Sequence, residues 1–281
     1  MLNKFVYSSC LILLFINVSG QEEDNYIKSV FKGTRLINGH SANLAEQGEL
    51  YLQIQHRFGD VSDGLYEFFG LDQATMRLGF EYGIARNLTV GIGRSTMFKT
   101  YDASIKFKIA QQSAHFPLTI STTFEGSVPT QKHYFPETYN NFSDKFSGSA
   151  QLHFAKTIGI VGLQITPGYL HTGYLPIEVN KYEMFTLGFG GSVKVSKKVS
   201  LNMEYLHHFE NNLPANKPLS LGIDLDTGGH LFQIMVTNSQ AMFNQALYTN
   251  TMGDWGKGNL YFGFNLIREF KLKYNDSDFN N

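Results

Sequence analysis

Apolar and polar residues alternate with a period of two along most of this chain. Over 258–270, Leu260, Phe262, Phe264 and Leu266 occupy one parity and Asn259, Tyr261, Gly263 and Asn265 the other. Successive side chains of a strand point to opposite faces, so this stretch predicts a strand with one apolar and one polar side. The pattern recurs upstream. Leu50, Leu52, Ile54 and Phe58 oppose Glu49, Gln53, Gln55 and Arg57, and Met76, Leu78, Phe80 and Tyr82 oppose Thr75, Arg77, Gly79 and Glu81. Tyr101, Ala103, Ile105, Phe107 and Ile109 oppose Asp102, Ser104, Lys106 and Lys108. Phe116, Leu118, Ile120 and Phe124 oppose Thr119, Ser121, Thr123 and Glu125, while Leu219, Leu221, Ile223 and Leu225 oppose Ser220, Gly222, Asp224 and Asp226. Twelve strands are predicted: 48–58, 73–84, 87–94, 100–110, 116–125, 145–156, 159–170, 184–196, 198–208, 218–226, 229–237 and 258–270.

Most of these segments reach nine residues, the length of a tilted membrane strand, whereas strands of soluble proteins average about five or six. The connections alternate. Long ones over 59–72, 126–144, 171–183, 209–217 and 238–257, with an intermediate one at 95–99, interleave with short ones at 85–86, 111–115, 157–158, 197 and 227–228. An all-β, closed, antiparallel up-and-down transmembrane barrel with short periplasmic turns and longer extracellular loops produces this rhythm, and an even strand count puts both ends in the periplasm.

The chain start fits that compartment. A short basic Met1–Lys4, an apolar run over 5–18 and the small pair Ser19 and Gly20 precede acidic residues, which is the layout of a signal peptide cleaved near Gly20/Gln21. The single cysteine, Cys10, lies inside that leader, so the mature chain has no thiol for a disulfide or a Cys-based zinc site. The expected organisation is a leader over 1–20, a periplasmic segment or lumen plug over 21–47, a barrel over 48–270 and a polar tail over 271–281. Mean hydropathy of −0.19 fits strands with one apolar face each. A formal net charge of −1 gives no footprint for nucleic acid.

Charges on the inward parity would line the lumen, since a charge facing lipid at mid-membrane costs about 2–4 kcal/mol. Arg57, Arg77, Lys106, Lys108 and Lys194 are expected there against Glu49, Glu81, Asp102, Glu125, Glu204, Asp224 and Asp226. They either pair across the interior or line a path for a small polar solute, for which Arg57, Arg77, Glu81, Asp102, Lys106, Lys108, Glu125, Lys194 and Glu204 are the candidate residues.

Two segments carry a resemblance. Residues 31–41 (Phe-Lys-Gly-Thr-Arg-Leu-Ile-Asn-Gly-His-Ser), followed by His56-Arg57-Phe58-Gly59, and residues 222–239 around Asp224, Asp226, Gly228, Gly229 and His230 resemble a bacterial β-barrel family, domain of unknown function 5777. The resemblance implies a barrel in the outer membrane and supplies no catalytic residues.

Candidate chemistry is sparse. His40, Asp224, Asp226 and His230 form a periplasmic-mouth motif that could attract a metal, but zinc needs three or four converging ligands, and a tight Gly228-Gly229 hairpin explains the turn equally well. No metal and no cofactor are therefore expected. His56 has no outward serine in register and the sequence points away from an enzyme. Expected partners are outer-membrane lipid, the barrel-assembly machinery through the C-terminal strand ending at Phe270, and a small polar solute. Two functions follow: a narrow channel or transporter with a charged lumen, or a closed structural barrel that docks a periplasmic partner through 21–47 and the 226–230 turn.

Overall fold

Alternation along each strand is what the fold uses. The computed structural model describes residues 26–132, 137, 141–175 and 181–272; the expected leader, residues 21–25 and the tail beyond 272 lie outside them. Twelve strands run β1 (Glu49–Asp60), β2 (Ala74–Ala85), β3 (Leu88–Ser95), β4 (Tyr101–Ala110), β5 (Thr119–Val128), β6 (Ser147–Ile158), β7 (Val161–His171), β8 (Glu183–Lys194), β9 (Val199–His208), β10 (Leu219–Asp226), β11 (His230–Thr237) and β12 (Tyr261–Lys271). Each pairs antiparallel with its sequence neighbours, and β1 closes on β12 through pairs such as Leu50 with Phe270 and His56 with Phe264. Closure satisfies every strand edge, which a sheet in hydrocarbon must do. Two short helices sit in the connections, α1 (Phe142–Lys145) and α2 (Asn244–Thr249).

The outer wall is apolar as the alternation requires, with Phe80, Ile92, Ile105, Phe124, Leu163, Ile234 and Phe262 all exposed. Boundaries moved where local chemistry intervened. β5 starts at Thr119 instead of 116, because Pro117 has no N–H for the ladder and Ser113 N bonds Phe116 O to form a turn. β6 extends to Ile158 and the hairpin bends at Gly159, whose φ of +58° suits a glycine, so the turn falls two residues later than expected. β12 begins at Tyr261, because Asp254 and Asn259 bridge a separate turn ahead of it.

The inner wall departs from a uniformly polar lumen at both ends. Leu170, Met184 and Leu206, at the long-loop ends of β7, β8 and β9, are buried on the inner side. Near the short-turn end Tyr51, Leu231 and Ile267 form a smaller apolar cluster with Ala45.

Candidate functional site

The bore is filled from both ends. From the short-turn end the N-terminal segment crosses the rim, where Ile27 N donates to Gln112 O (2.9 Å) and Lys32 Nζ reaches Asp226 (3.2 Å) and Lys197 O (3.0 Å). It then enters the barrel as a hairpin. Leu36 N donates to Gly39 O (3.0 Å) and Ser41 N to Thr34 O (2.9 Å), with Arg35 and His40 bridged. The wall replaces the missing sheet partners. Glu204 accepts from the backbone N–H groups of Asn38 and Gly39 (2.8 and 2.9 Å), Gln233 donates to Leu36 O (2.9 Å) and Asn265 to Ile37 O (2.8 Å). Gly39 has to be small, since a Cβ there would stand 2.8 Å from the Glu204 carboxylate. Lys106 gathers three hairpin carbonyls, Thr34, Ser41 and Asn43, at 3.0–3.1 Å. Arg57 clasps Asn38 Oδ1 (2.8 Å) and Asn265 Oδ1 (2.9 Å), and Gln164 binds His40 O and Ala42 N.

From the long-loop end the connection after β11 folds inward as a lid. Ala241, Met242, Phe243, Ala246, Leu247 and Tyr248 are all 0–1% exposed and several pack on Leu170, Met184, Leu206, Leu213 and Ala215. Polar contacts pin its edges: Gln240 donates to Phe58 O (2.7 Å), and Asn244 Nδ2 donates to Ser149 Oγ and Gln151 Oε1 (3.1 Å each).

Glu125 joins the two plugs. Its Oε2 lies 3.0 Å from His40 Nε2 on the hairpin and its Oε1 accepts from Asn244 N (2.7 Å) on the lid. A carboxylate only accepts, so the imidazole carries its proton on Nε2.

Most of the charges expected in the lumen are there, yet they do not mainly pair across it. Arg77 and Asp102 form the one direct cation–carboxylate pair deep in the described bore, with Gln55 Oε1 accepting from Arg77 (2.9 Å). Arg57, Lys106, Glu125 and Glu204 bind the hairpin or the lid instead, because a chain threaded through a barrel brings its own unpaired backbone groups that need partners. Glu81 is buried, with its Oε2 lacking a protein partner. Lys108 is half-buried against Gln111 (3.2 Å) near the short-turn end, and Lys194 is exposed at that rim, outside the buried lumen where parity had put it. Both border a vestibule of about 650 Å³ beneath the hairpin, together with Lys28, Lys197, Glu49 and Glu269.

The mouth motif separates. His40 is buried on Glu125 in the bore, away from the mouth, because the hairpin carries it inward. Asp224 is buried and accepts from Gln233 (3.0 Å), and Asp226 accepts from Gly228 N (2.9 Å) and meets Lys32. His230 contacts Arg268 and stacks on Phe232. No group of three His, Cys, Asp or Glu able to hold a metal occurs among the described residues. His56 sits on the outer wall between the rings of Phe58 and Phe264, 4.5 and 5.1 Å away.

Sequence reasoning missed the lid. Its signal was an apolar run, Ala241 to Phe243 and Ala246 to Tyr248, inside a long connection, matched by the inward Leu170, Met184 and Leu206 where alternation gives way to apolar residues on both faces.

A family model described as a membrane-bound beta barrel domain, domain of unknown function 5777, matches residues 31–270, so it includes the hairpin as well as the barrel. The chain belongs to this family. No curated protein matches this DUF5777 chain. Among solved structures, it is similar to an outer-membrane channel from Pseudomonas putida F1, at 10% identity and a TM-score of 0.49 over 85% of this chain and 99% of that one. It is also similar to the NanC porin, at 9% and 0.48 over 79% and 100%, and to the outer-membrane protein Omp33 of Acinetobacter baumannii, at 8% and 0.43 over 80% and 100%.

Proposed function

We propose that this DUF5777 barrel is a gated conduit of the outer membrane, without enzymatic activity, closed in the conformation described and passing a small polar solute when the N-terminal hairpin leaves the bore and the lid is displaced. The observation that carries this reading is how the hairpin is held. Its backbone is bound by side chains of the wall, through hydrogen bonds that water can replace, and each such bond contributes only about 0.5–1.5 kcal/mol net, more where a charge takes part. Arg35 Nε, His40 Nδ1, Gln55 Nε2 and Glu81 Oε2, all buried at or around the hairpin, lack protein partners. An unpartnered buried polar group costs about 1–3 kcal/mol, so these positions weaken the hold of the wall on the hairpin. Wall groups freed by its departure, Arg57, Lys106, Glu125 and Glu204, would remain as a polar lining with both signs of charge.

Planar bilayers test this. The full mature chain should be closed most of the time, whereas a chain that lacks residues 26–46 and carries Phe243→Ala to unseat the lid should show discrete conductance steps that change on neutralising Arg77 or Lys106. Such a shortened chain that folds, judged by heat-modifiable gel migration, and yet passes no current would overturn the proposal.

A second reading, a closed barrel that docks a periplasmic partner, draws on the exposed Tyr26 and Ile27 at the short-turn rim. It expects silent bilayers from both chains and loss of the partner on removal of 26–46.

A further inference from the structure

The hairpin and the lid enter from opposite ends, belong to segments some 200 residues apart in sequence, and meet at one carboxylate. Glu125 lies on β5 towards its long-loop end and is 5% exposed. Its two oxygens are divided between the plugs, with Oε2 facing His40 Nε2 and Oε1 taking the backbone N–H of Asn244. That N–H opens α2, so it has no carbonyl of its own helix to bond and needs an outside acceptor. A second polar line runs parallel to the first. Asn38 Nδ2 at the hairpin tip donates to Ser220 Oγ (2.8 Å), which donates to Thr237 Oγ1 (2.8 Å), and the same Thr237 oxygen accepts from Ser239 N (3.1 Å) at the base of the lid. Thr251 Oγ1 then ties Ser239 across the lid's return limb (2.8 Å).

We propose that Glu125 is a shared latch coupling the two plugs, so that displacement of the lid from the outside loosens the hairpin towards the periplasm, and the reverse. The inference specifies the regulation of the gate proposed above and rests on that reading for its purpose, though the coupling can be measured without any current. The physical basis is the shared orientation of one carboxylate, whose rotamer is fixed by donors from both plugs. When Asn244 N leaves, the carboxylate loses a donor and is free to rotate or hydrate, and the bond to His40 is weakened with it. When His40 leaves, the helix end loses part of its acceptor's orientation. A coupling between two sites is reciprocal in free energy, so each plug must report the loss of the other to the same degree.

The sequence offers a clean probe. Asn244 follows Phe243, which has extended backbone angles, and it is the first residue of α2, where proline is tolerated because the N–H it lacks has no helical partner. Asn244→Pro removes the N–H to Glu125 together with the side-chain bonds to Ser149 and Gln151; Asn244→Ala removes only the side-chain bonds. The difference between them isolates the latch. Because Cys10 lies in the expected leader and is the chain's one cysteine, single reporters can be placed at Ala42 in the hairpin and Ala246 in the lid, both fully buried.

In the full chain in detergent, maleimide labelling of the Ala42→Cys reporter should be about fivefold faster or more with Asn244→Pro than with Asn244→Ala, the size of a modest allosteric coupling. Equal rates in the two backgrounds would overturn the coupling. Should Asn244→Pro fail the heat-modifiability check for folding, His40→Ala read at the Ala246→Cys reporter serves instead: faster labelling than in the unmodified background supports the latch, and an unchanged rate overturns it. Bilayer recordings separate the two proposals. Faster labelling at position 42, with silent bilayers even after removal of 26–46 together with Phe243→Ala, leaves the latch standing and removes the conduit; conductance in that shortened chain with equal labelling does the opposite.

Discussion

The hairpin at 34–41 and the lid around α2 share one bore but are held there by different balances of polar and apolar contact. The hairpin buries Leu36 and Ile37, yet most of its hold comes through backbone bound by charged and amide side chains, among them Lys106, Glu204, Gln164, Gln233 and Asn265. The lid presents Phe243, Leu247 and Tyr248 and is bound by apolar burial against Leu170, Met184 and Leu206. Water competes for the first kind of contact and cannot compete for the second. A polar plug can therefore exchange wall contacts for solvent as it slides, whereas an apolar lid must expose about 25 cal/mol per Å² of freshly wetted surface to move. On the gating proposed above, this difference predicts that the short-turn end opens the more readily.

The largest test of that contrast is Phe243→Ala. A fully buried phenyl ring removed from a packed cluster costs about 3–5 kcal/mol, which should appear as protease cleavage within the lid while the barrel keeps its heat-modifiable migration. A lid that stays protected would mean that its polar edge bonds, and not its apolar face, hold it. Next in size is Glu204→Gln, which replaces one of two acceptors facing the Asn38 and Gly39 N–H groups with a donor. The expected loss is about 1–3 kcal/mol of hairpin retention, read as faster labelling of a cysteine at position 42; no change would show that the hairpin does not depend on its tip. The smallest effect belongs to Asp226→Asn at the rim. Its pair with Lys32 is partly exposed, so at most about 1 kcal/mol is at stake, and the labelling difference should fade as salt is raised.

How much of this was legible follows from range. The dyad alternation placed all twelve strands and assigned Arg57, Arg77, Glu81, Asp102, Lys106, Glu125 and Glu204 to the inner face, since parity on a strand is a local property. Lys194 has the inward parity too, but it stands at a strand end where the wall opens into the vestibule, and parity says nothing about depth. His40 read as a mouth residue because nothing in its neighbourhood of the chain shows that 34–41 turns inside the barrel. The hairpin's partners come from β1, β4, β5, β7, β9, β10, β11 and β12, and no local pattern encodes contacts so dispersed.

The sequence alone determined that this chain forms a twelve-stranded membrane barrel with a polar interior and an apolar exterior, because the side-chain period of a strand and the length needed to cross a bilayer are both written residue by residue. Only the tertiary structure decided what fills the interior. Closing the sheet turned inward charges from prospective mutual partners into anchors for an inserted hairpin, brought Leu170, Met184 and Leu206 around the lid, and put His40 and Asn244 on the two oxygens of Glu125. Those relations join residues some 20 to 230 positions apart in the chain, and they exist once the barrel has closed around them.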